Sequence, residues 1–182
     1  DNFTKADKKV TFTDIFIKLV GQALIQCPAV NASLIDEKWI VKYKSVNIGV
    51  AVGTEQGLYV PVIKDIQAKT LLEISMELKE ITLNLRNGNV LPEYFIGGTF
   101  TISNLGMFDI DVMTPIINTP EAAILCFGAI RKEYVVQDDN SALIRPLMWL
   151  SLTLDHAVID GTDGAKFLLA IRNLIMNPHE YL

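Results

Sequence analysis

Hydrophobic positions along the chain follow two periods. Ile15, Phe16, Leu19, Val20, Ala23 and Leu24 repeat at 3.6 residues and mark one face of a helix. Thr13 is its expected cap, and Cys27-Pro28 closes it because proline cannot continue the hydrogen-bond ladder. A second stripe, Leu71, Ile74, Leu78, Ile81 and Leu85, keeps a three-four spacing between Thr70 as cap and Asn87-Gly88 as stop. Such a stripe reads as core packing and not as a cofactor box. A third helix is expected from a cap at Thr162 or Asp163 to about Met176, ended by Asn177-Pro178.

Elsewhere the apolar residues come in short runs bounded by turn chemistry, the pattern of strands. Ala32–Leu34 and Trp39–Tyr43 are two of them, and Asn47–Gly53 and Leu58–Ile63 flank a hairpin-like turn at Thr54–Gly57. Thr99–Ser103, Ala122–Ile130, Tyr134–Gln137, Leu143–Arg145 and Leu147–Asp155 follow, with turn residues at Asp138–Ser141. Strand runs interrupted by helices predict an α/β domain (an α+β sandwich): a mixed sheet with helices packed on one face. At 182 residues, about half of them hydrophobic, the chain can bury one ample core and reads as a single domain over 1–182.

Charge and cysteine usage narrow the function classes. The net charge is −5 and the Lys and Arg residues form no stripe, so no nucleic-acid partner is expected, because phosphate contact needs concentrated positive charge. No apolar run is long enough to cross a bilayer and no signal peptide opens the chain, so no membrane partner is expected either. Cys27 and Cys126 are isolated thiols without metal-ligand spacing, each read as a small buried hydrophobe. They suit a reducing compartment, and no metal is expected.

The candidate chemistry centres on histidine. Of the two, His179 stands beside a helix-stopping proline near the end of the chain and reads as a surface residue. His156 follows the apolar run Leu147–Leu154 and precedes Asp160-Gly161 at a turn. An ionisable group delivered by a buried strand to a turn suits proton transfer. The spacing alone fits equally well a half-buried histidine beside a turn aspartate.

The wider string Asp155-His-Ala-Val-Ile-Asp-Gly-Thr-Asp-Gly-Ala-Lys-Phe167 resembles the C-terminal signature of the dihydrolipoamide acyltransferases, the core components of 2-oxoacid dehydrogenase complexes. Two more blocks resemble the same family: Gly97–Phe108, followed by Thr114–Asn118 and Pro120–Leu125, and Ile48–Ile63. The blocks stand in the family's order, and the resemblance runs from about Val10 to the end. One residue departs from the pattern: the family usually has Arg directly after the histidine, where this chain has Ala157. The related chloramphenicol acetyltransferases commonly carry Ala there.

The resemblance implies the chloramphenicol-acetyltransferase-like fold and acyl transfer, most simply acetyl transfer, between a dihydrolipoyl thiol and coenzyme A. Coenzyme A is then a substrate and the lipoyl group sits on a separate domain. His156 is the implied thiol base. The family's oxyanion-stabilising serine falls on Ser103, which ends an apolar strand ahead of the Asn104–Gly106 turn, and its active-site support falls on Asp160. No Gly-x-Ser-x-Gly elbow surrounds Ser103, which disfavours a nucleophilic-serine hydrolase. The implied assembly is a trimer with His156 of one subunit facing Ser103 of its neighbour, built into a larger hollow core; Tyr181-Leu182 reads equally as a contact between trimers or as a frayed tail. Decarboxylase and dihydrolipoamide dehydrogenase components would dock through domains absent from this stretch. Asp1–Lys9 reads as a linker or interior loop, so the expectation is an N-terminally truncated catalytic domain without lipoyl or peripheral-subunit-binding domains. The expected location is cytoplasmic, or the mitochondrial matrix in a eukaryote. Two alternatives stay open: a small-molecule O-acetyltransferase of the chloramphenicol type, and a non-catalytic scaffold of the same fold.

Overall fold

Thr11, and not Thr13, caps the first helix in the computed structural model, which describes residues 10–180. In α1 (Phe12–Gln26), Thr11 Oγ1 accepts from the Asp14 N–H while Asp14 Oδ2 accepts from the Thr11 N–H at 2.7 Å. This reciprocal box satisfies two donors that a helix start otherwise strands, and so it takes the start from Thr13. Thr13 instead accepts a hydrogen bond from the Asn104 amide at 3.1 Å. The same box, Thr70 with Glu73, opens α2 (Leu71–Arg86) where the sequence places it. The third helix, α3 (Gly161–Met176), begins earlier than expected. Asp160 holds extended dihedrals and its carbonyl accepts from the Asp163 and Gly164 N–H groups, which leaves Thr162 and Asp163 inside the first turn.

The strands in chain order are β1 (Ala32–Ile35), β2 (Trp39–Lys42), β3 (Ile48–Val50), β4 (Val52–Thr54), β5 (Gly57–Tyr59), β6 (Val62–Ile63), β7 (Phe100–Asn104), β8 (Ala123–Phe127), β9 (Arg131–Val136), β10 (Ala142–Leu147) and β11 (Leu150–Leu154). Five of them form the central sheet in the order β11-β8-β7-β3-β6, parallel between β3, β7 and β8 and antiparallel at both edges. Pairs β1–β2, β4–β5 and β9–β10 are separate antiparallel ribbons. Two runs read as single strands are therefore divided. Asn47–Gly53 breaks at Ala51, whose N–H leaves for the Ile102 carbonyl, and Leu58–Ile63 breaks at Val60-Pro61, where proline has no N–H to give. Ala122–Ile130 shortens to β8, and Leu147 belongs to β10 and not to β11.

All three helices cover one face of this mixed sheet, with α1 between α2 and α3. Phe127 of β8 stacks on Phe16 of α1 with ring centroids 4.1 Å apart, and Phe100 of β7 meets Phe167 of α3 edge-on at 5.4 Å. A Cβ at Gly164 would lie 2.5 Å from the Leu154 side chain, so glycine lets α3 approach β11 this closely. Because side chains alternate along a strand, the residues between these point to the other face. Register then aligns Ser151, Cys126 and Ser103 in one row and Thr153, Ile124, Thr101 and Gly49 in the next. The helix face is aliphatic and aromatic; the other face is mostly small and hydroxylated.

Cys126 is buried and Cys27 partly buried, both unpaired, as small hydrophobes. His179 is exposed. No helix among the described residues is long and apolar enough to cross a membrane. Asp1–Lys9 and Tyr181-Leu182 lie outside the described residues.

Candidate active site

Strand β11 ends at Leu154, opposite Ala123, and the ladder runs one step further as the Asp155 N–H donates to the Ala122 carbonyl at 2.8 Å. Asp155 then closes a turn. Its Oδ1 accepts from the Ala157 N–H at 2.9 Å, and its carbonyl accepts from the N–H groups of Val158 and Ile159. Ile159, 1% exposed, plugs this turn into the core. His156 stands on the crest, exposed, and its Nε2 lies 3.9 Å from where a Cβ on Gly161 would sit, over the first turn of α3. Asp160 caps that helix by its backbone alone; its carboxylate makes no capping bond and is exposed at the same corner. Ala157, also exposed, presents no group for an ion pair beside the imidazole.

Ser103 lies on β7, held between β3 and β8, half-buried on the hydroxylated face. Its register partner is Cys126. Burial pushes the Cys126 thiol up from its ordinary value, partly offset by the neighbouring Ser103, Leu105 and Phe127, and its Sγ donates to the Phe127 carbonyl. The hydroxyl thus lies across the parallel register from a buried sulfur, a neighbour that no pattern along the sequence announces, because parallel register is set between distant segments.

The structure does not bring Ser103 and His156 together within one chain. Ser103 pairs with Cys126 and Leu154 with Ala123, so the two residues leave the sheet at opposite ends. Three strand positions separate these pairs, about 10 Å at roughly 3.3 Å per residue, before the turn carrying His156 is added.

One group in this region was not anticipated. Glu121 sits directly ahead of β8, 6% exposed, and its Oε2 accepts from Thr101 Oγ1 at 2.6 Å. Burial pushes its carboxyl up to about 7, against hydrogen bonds from Thr101 and Asn118 that favour the charged form. A Cβ on Gly98 would come within 2.6 Å of Oε1, so glycine makes room for the carboxylate. The signal was a lone charge between a proline and a continuous apolar strand, which reads as an ordinary turn residue until the neighbouring strands are placed.

Among the described residues, no group of three or more His, Cys, Asp or Glu is placed to hold a metal ion. An open apolar groove of about 580 Å³ lies on the helix side, lined by Phe12, Phe16, Leu147, Leu150 and Met176, away from His156 and Ser103.

Among the described residues, a mixed sheet with three α-helices on one face is the architecture of the chloramphenicol-acetyltransferase-like fold. A chloramphenicol acetyltransferase itself superposes with a TM-score of 0.53 at 14% identity, over 90% of this chain and 77% of that one, a likeness of fold alone. The family model of the 2-oxoacid dehydrogenases acyltransferase (catalytic domain) matches residues 1–182, and the chain belongs to that family. It is 42% identical over 177 residues to the dihydrolipoyllysine-residue acetyltransferase component of the mitochondrial pyruvate dehydrogenase complex of Schizosaccharomyces pombe, covering 96% of this chain and 36% of that protein. A succinyltransferase component of the 2-oxoglutarate dehydrogenase complex of Rickettsia typhi is 39% identical over 96% of this chain and 43% of its own length. Two solved structures, the cubic core of a pyruvate dehydrogenase multienzyme complex and the dihydrolipoamide acetyltransferase of Azotobacter vinelandii, superpose with TM-scores of 0.90. Their identities are 33% and 32%, each over 95% of this chain and 71% of theirs. In the Azotobacter protein a serine, a histidine and an asparagine four residues further on were investigated for their role in catalysis. The chain spans less than half the length of these curated relatives.

Proposed function

We propose that this chain is the catalytic domain that transfers an acetyl group between a dihydrolipoyl thiol and coenzyme A, at a site completed by a second copy. The observation that carries the reading is the placement of Ser103 and His156 at opposite ends of one sheet, which a head-to-tail ring of subunits converts into a complete pair at every junction. The imidazole of His156 takes the proton of the attacking thiol, which at its ordinary pKa is only a few per cent ionised at neutral pH. The thiolate adds to the thioester carbonyl, and the Ser103 hydroxyl donates to the resulting oxyanion. Collapse breaks the original carbon–sulfur bond, and the departing thiolate recovers the proton from the imidazolium. Asp160 supports the corner where the histidine turn meets α3, four residues after His156, the same interval as the asparagine in the Azotobacter protein.

The family membership supports acyl transfer, and the names of the relatives favour acetyl over succinyl without separating them by any residue in view. The solved relatives that form a cubic core support assembly of trimers into a hollow particle, with decarboxylase and dihydrolipoamide dehydrogenase components as partners of the whole protein. A mitochondrial relative and bacterial ones fit a matrix or cytoplasmic location. The exposed Ala157 favours a second reading, transfer to a free small-molecule hydroxyl.

Complementation tests the first. His156→Ala and Ser103→Ala chains are prepared separately, each nearly inactive, then dissociated, mixed in equal amounts and reassembled. Random rings should regain about a quarter of the wild-type junctions, read as acetyl transfer from acetyl-CoA to dihydrolipoamide. No recovery in rings of verified mixed composition would exclude the shared site. Acetylation of a hydroxyl acceptor in preference to dihydrolipoamide would favour the second reading.

A further inference from the structure

The carboxyl of Glu121 has no place in the transfer steps, yet it is built into the corner that holds the histidine turn. From β7, Thr101 donates to it at 2.6 Å, and the Asn118 amide in turn donates to Thr101 Oγ1 at 3.4 Å beside it. From β1, Ser33 forms an antiparallel backbone bridge with Glu121, and its buried hydroxyl has no hydrogen-bond partner among the described residues. The flanking residues are fixed too: the Pro120 carbonyl accepts from the Leu34 N–H, the Ala122 N–H donates to the Ala32 carbonyl, and the Ala122 carbonyl accepts from the Asp155 N–H. Asp155 carries His156. A continuous path of hydrogen bonds and backbone thus runs from Thr101 through Glu121 and Ala122 to the imidazole.

We propose that Glu121 is a positioning residue for His156, holding the Pro120–Ala122 corner from which the Asp155–Ile159 turn hangs. The proposal rests on the acyl-transfer reading above. The groups that face the carboxyl, Thr101 on β7, Asn118, Ser33 on β1, and Gly98 with Val62 of β6 behind it, are all uncharged. The titratable groups reached through Ala122 are Asp155, engaged with the Ala157 N–H, and His156 itself. A carboxylate without a cation in such a place is stable only if it draws in water or shifts its donors. The neutral carboxyl keeps the corner closed; ionisation opens it and moves the histidine turn.

The test measures kcat and KM for acetyl transfer between acetyl-CoA and dihydrolipoamide from pH 6 to 9. It compares the assembled wild-type protein with Glu121→Gln, Glu121→Ala and Thr101→Val, with His156→Ala alongside. Glu121→Gln keeps the shape without the charge, so its kcat should gain on wild type by about fivefold or more as pH rises from 6 to 8.5. Thr101→Val removes a donor that favours the charged form, so the alkaline fall of kcat should move to higher pH. Glu121→Ala should lower kcat by about tenfold or more with KM for acetyl-CoA within about twofold, the mark of a displaced catalytic group. A Glu121→Gln profile parallel to wild type at every pH, or a wild-type kcat in folded Glu121→Ala, would overturn the proposal. Activity surviving in His156→Ala would overturn the transfer reading instead. The infrared band of a buried protonated carboxyl, present in wild type at pH 6 and lost in Glu121→Gln, reports on Glu121 without any turnover.

Discussion

The two ends of the central sheet are built in different ways. At the Ser103 end, a parallel strand lies between two neighbours, and the hydroxyl is half-buried beside a buried sulfur. At the His156 end, an edge strand stops and a short turn lifts an exposed imidazole over the start of a helix. An oxyanion donor works by being fixed before charge develops, so a strand interior suits it. In the proposed reaction His156 would have to meet an incoming thiol, so an accessible turn braced by hydrogen bonds suits a base better. One sheet thus supplies rigidity at one end and access at the other.

The largest effect is expected at the exposed end. His156→Ala is expected to lower kcat roughly 10²–10⁴-fold with the assembly intact, as is usual for a general base; near-normal turnover would remove the histidine from the chemistry. At the fixed end, Ser103→Ala should lower kcat roughly 10²–10³-fold. A raised KM with unchanged kcat would make Ser103 a binding residue instead. Stability measured by urea unfolding sharpens the contrast further. The Glu121 carboxyl rises from an ordinary 4.5 to about 7 in the fold, so between those values the unfolded chain has lost a proton that the folded one keeps. Stability therefore falls as pH climbs from about 4.5 to 7 and is level above it. Glu121→Gln should remove that fall, a gain of roughly 3 kcal/mol at pH 8 that vanishes near pH 4; an equal gain at both pH values would rule out titration as the cause. The smallest effect is expected at Asp160, which caps by backbone alone. Asp160→Asn should keep kcat within about fivefold, and a larger loss would give the carboxylate a direct part in the reaction.

Local features of this fold were legible because their causes are local. The α2 stripe and the Thr70–Glu73 box lie within one helix, and both are found where the periodicity places them. The start of α1 was misplaced because two threonines compete for the cap, and Asp14, three residues after Thr11, decides between them. Within the run Asn47–Gly53 the break at Ala51 has no local sign, since it answers to Ile102 on the neighbouring strand β7, far along the chain. The same holds for the site. His156 and Ser103 stood out through short motifs, but their separation depends on strand order. The burial of Glu121 depends on β1 and β7 closing around a residue that resembles any polar turn position.

The opposite-end placement of Ser103 and His156 also has a genetic consequence. In the ring proposed above, each chain would take part in two junctions, giving its histidine to one and its serine to the other. A chain that has lost one of these residues silences a single junction, whereas a chain that folds but has lost both silences two. On that arrangement, an inactive but well-assembled variant among co-expressed copies would be more harmful than a missing one, because a deleted copy takes nothing from its neighbours.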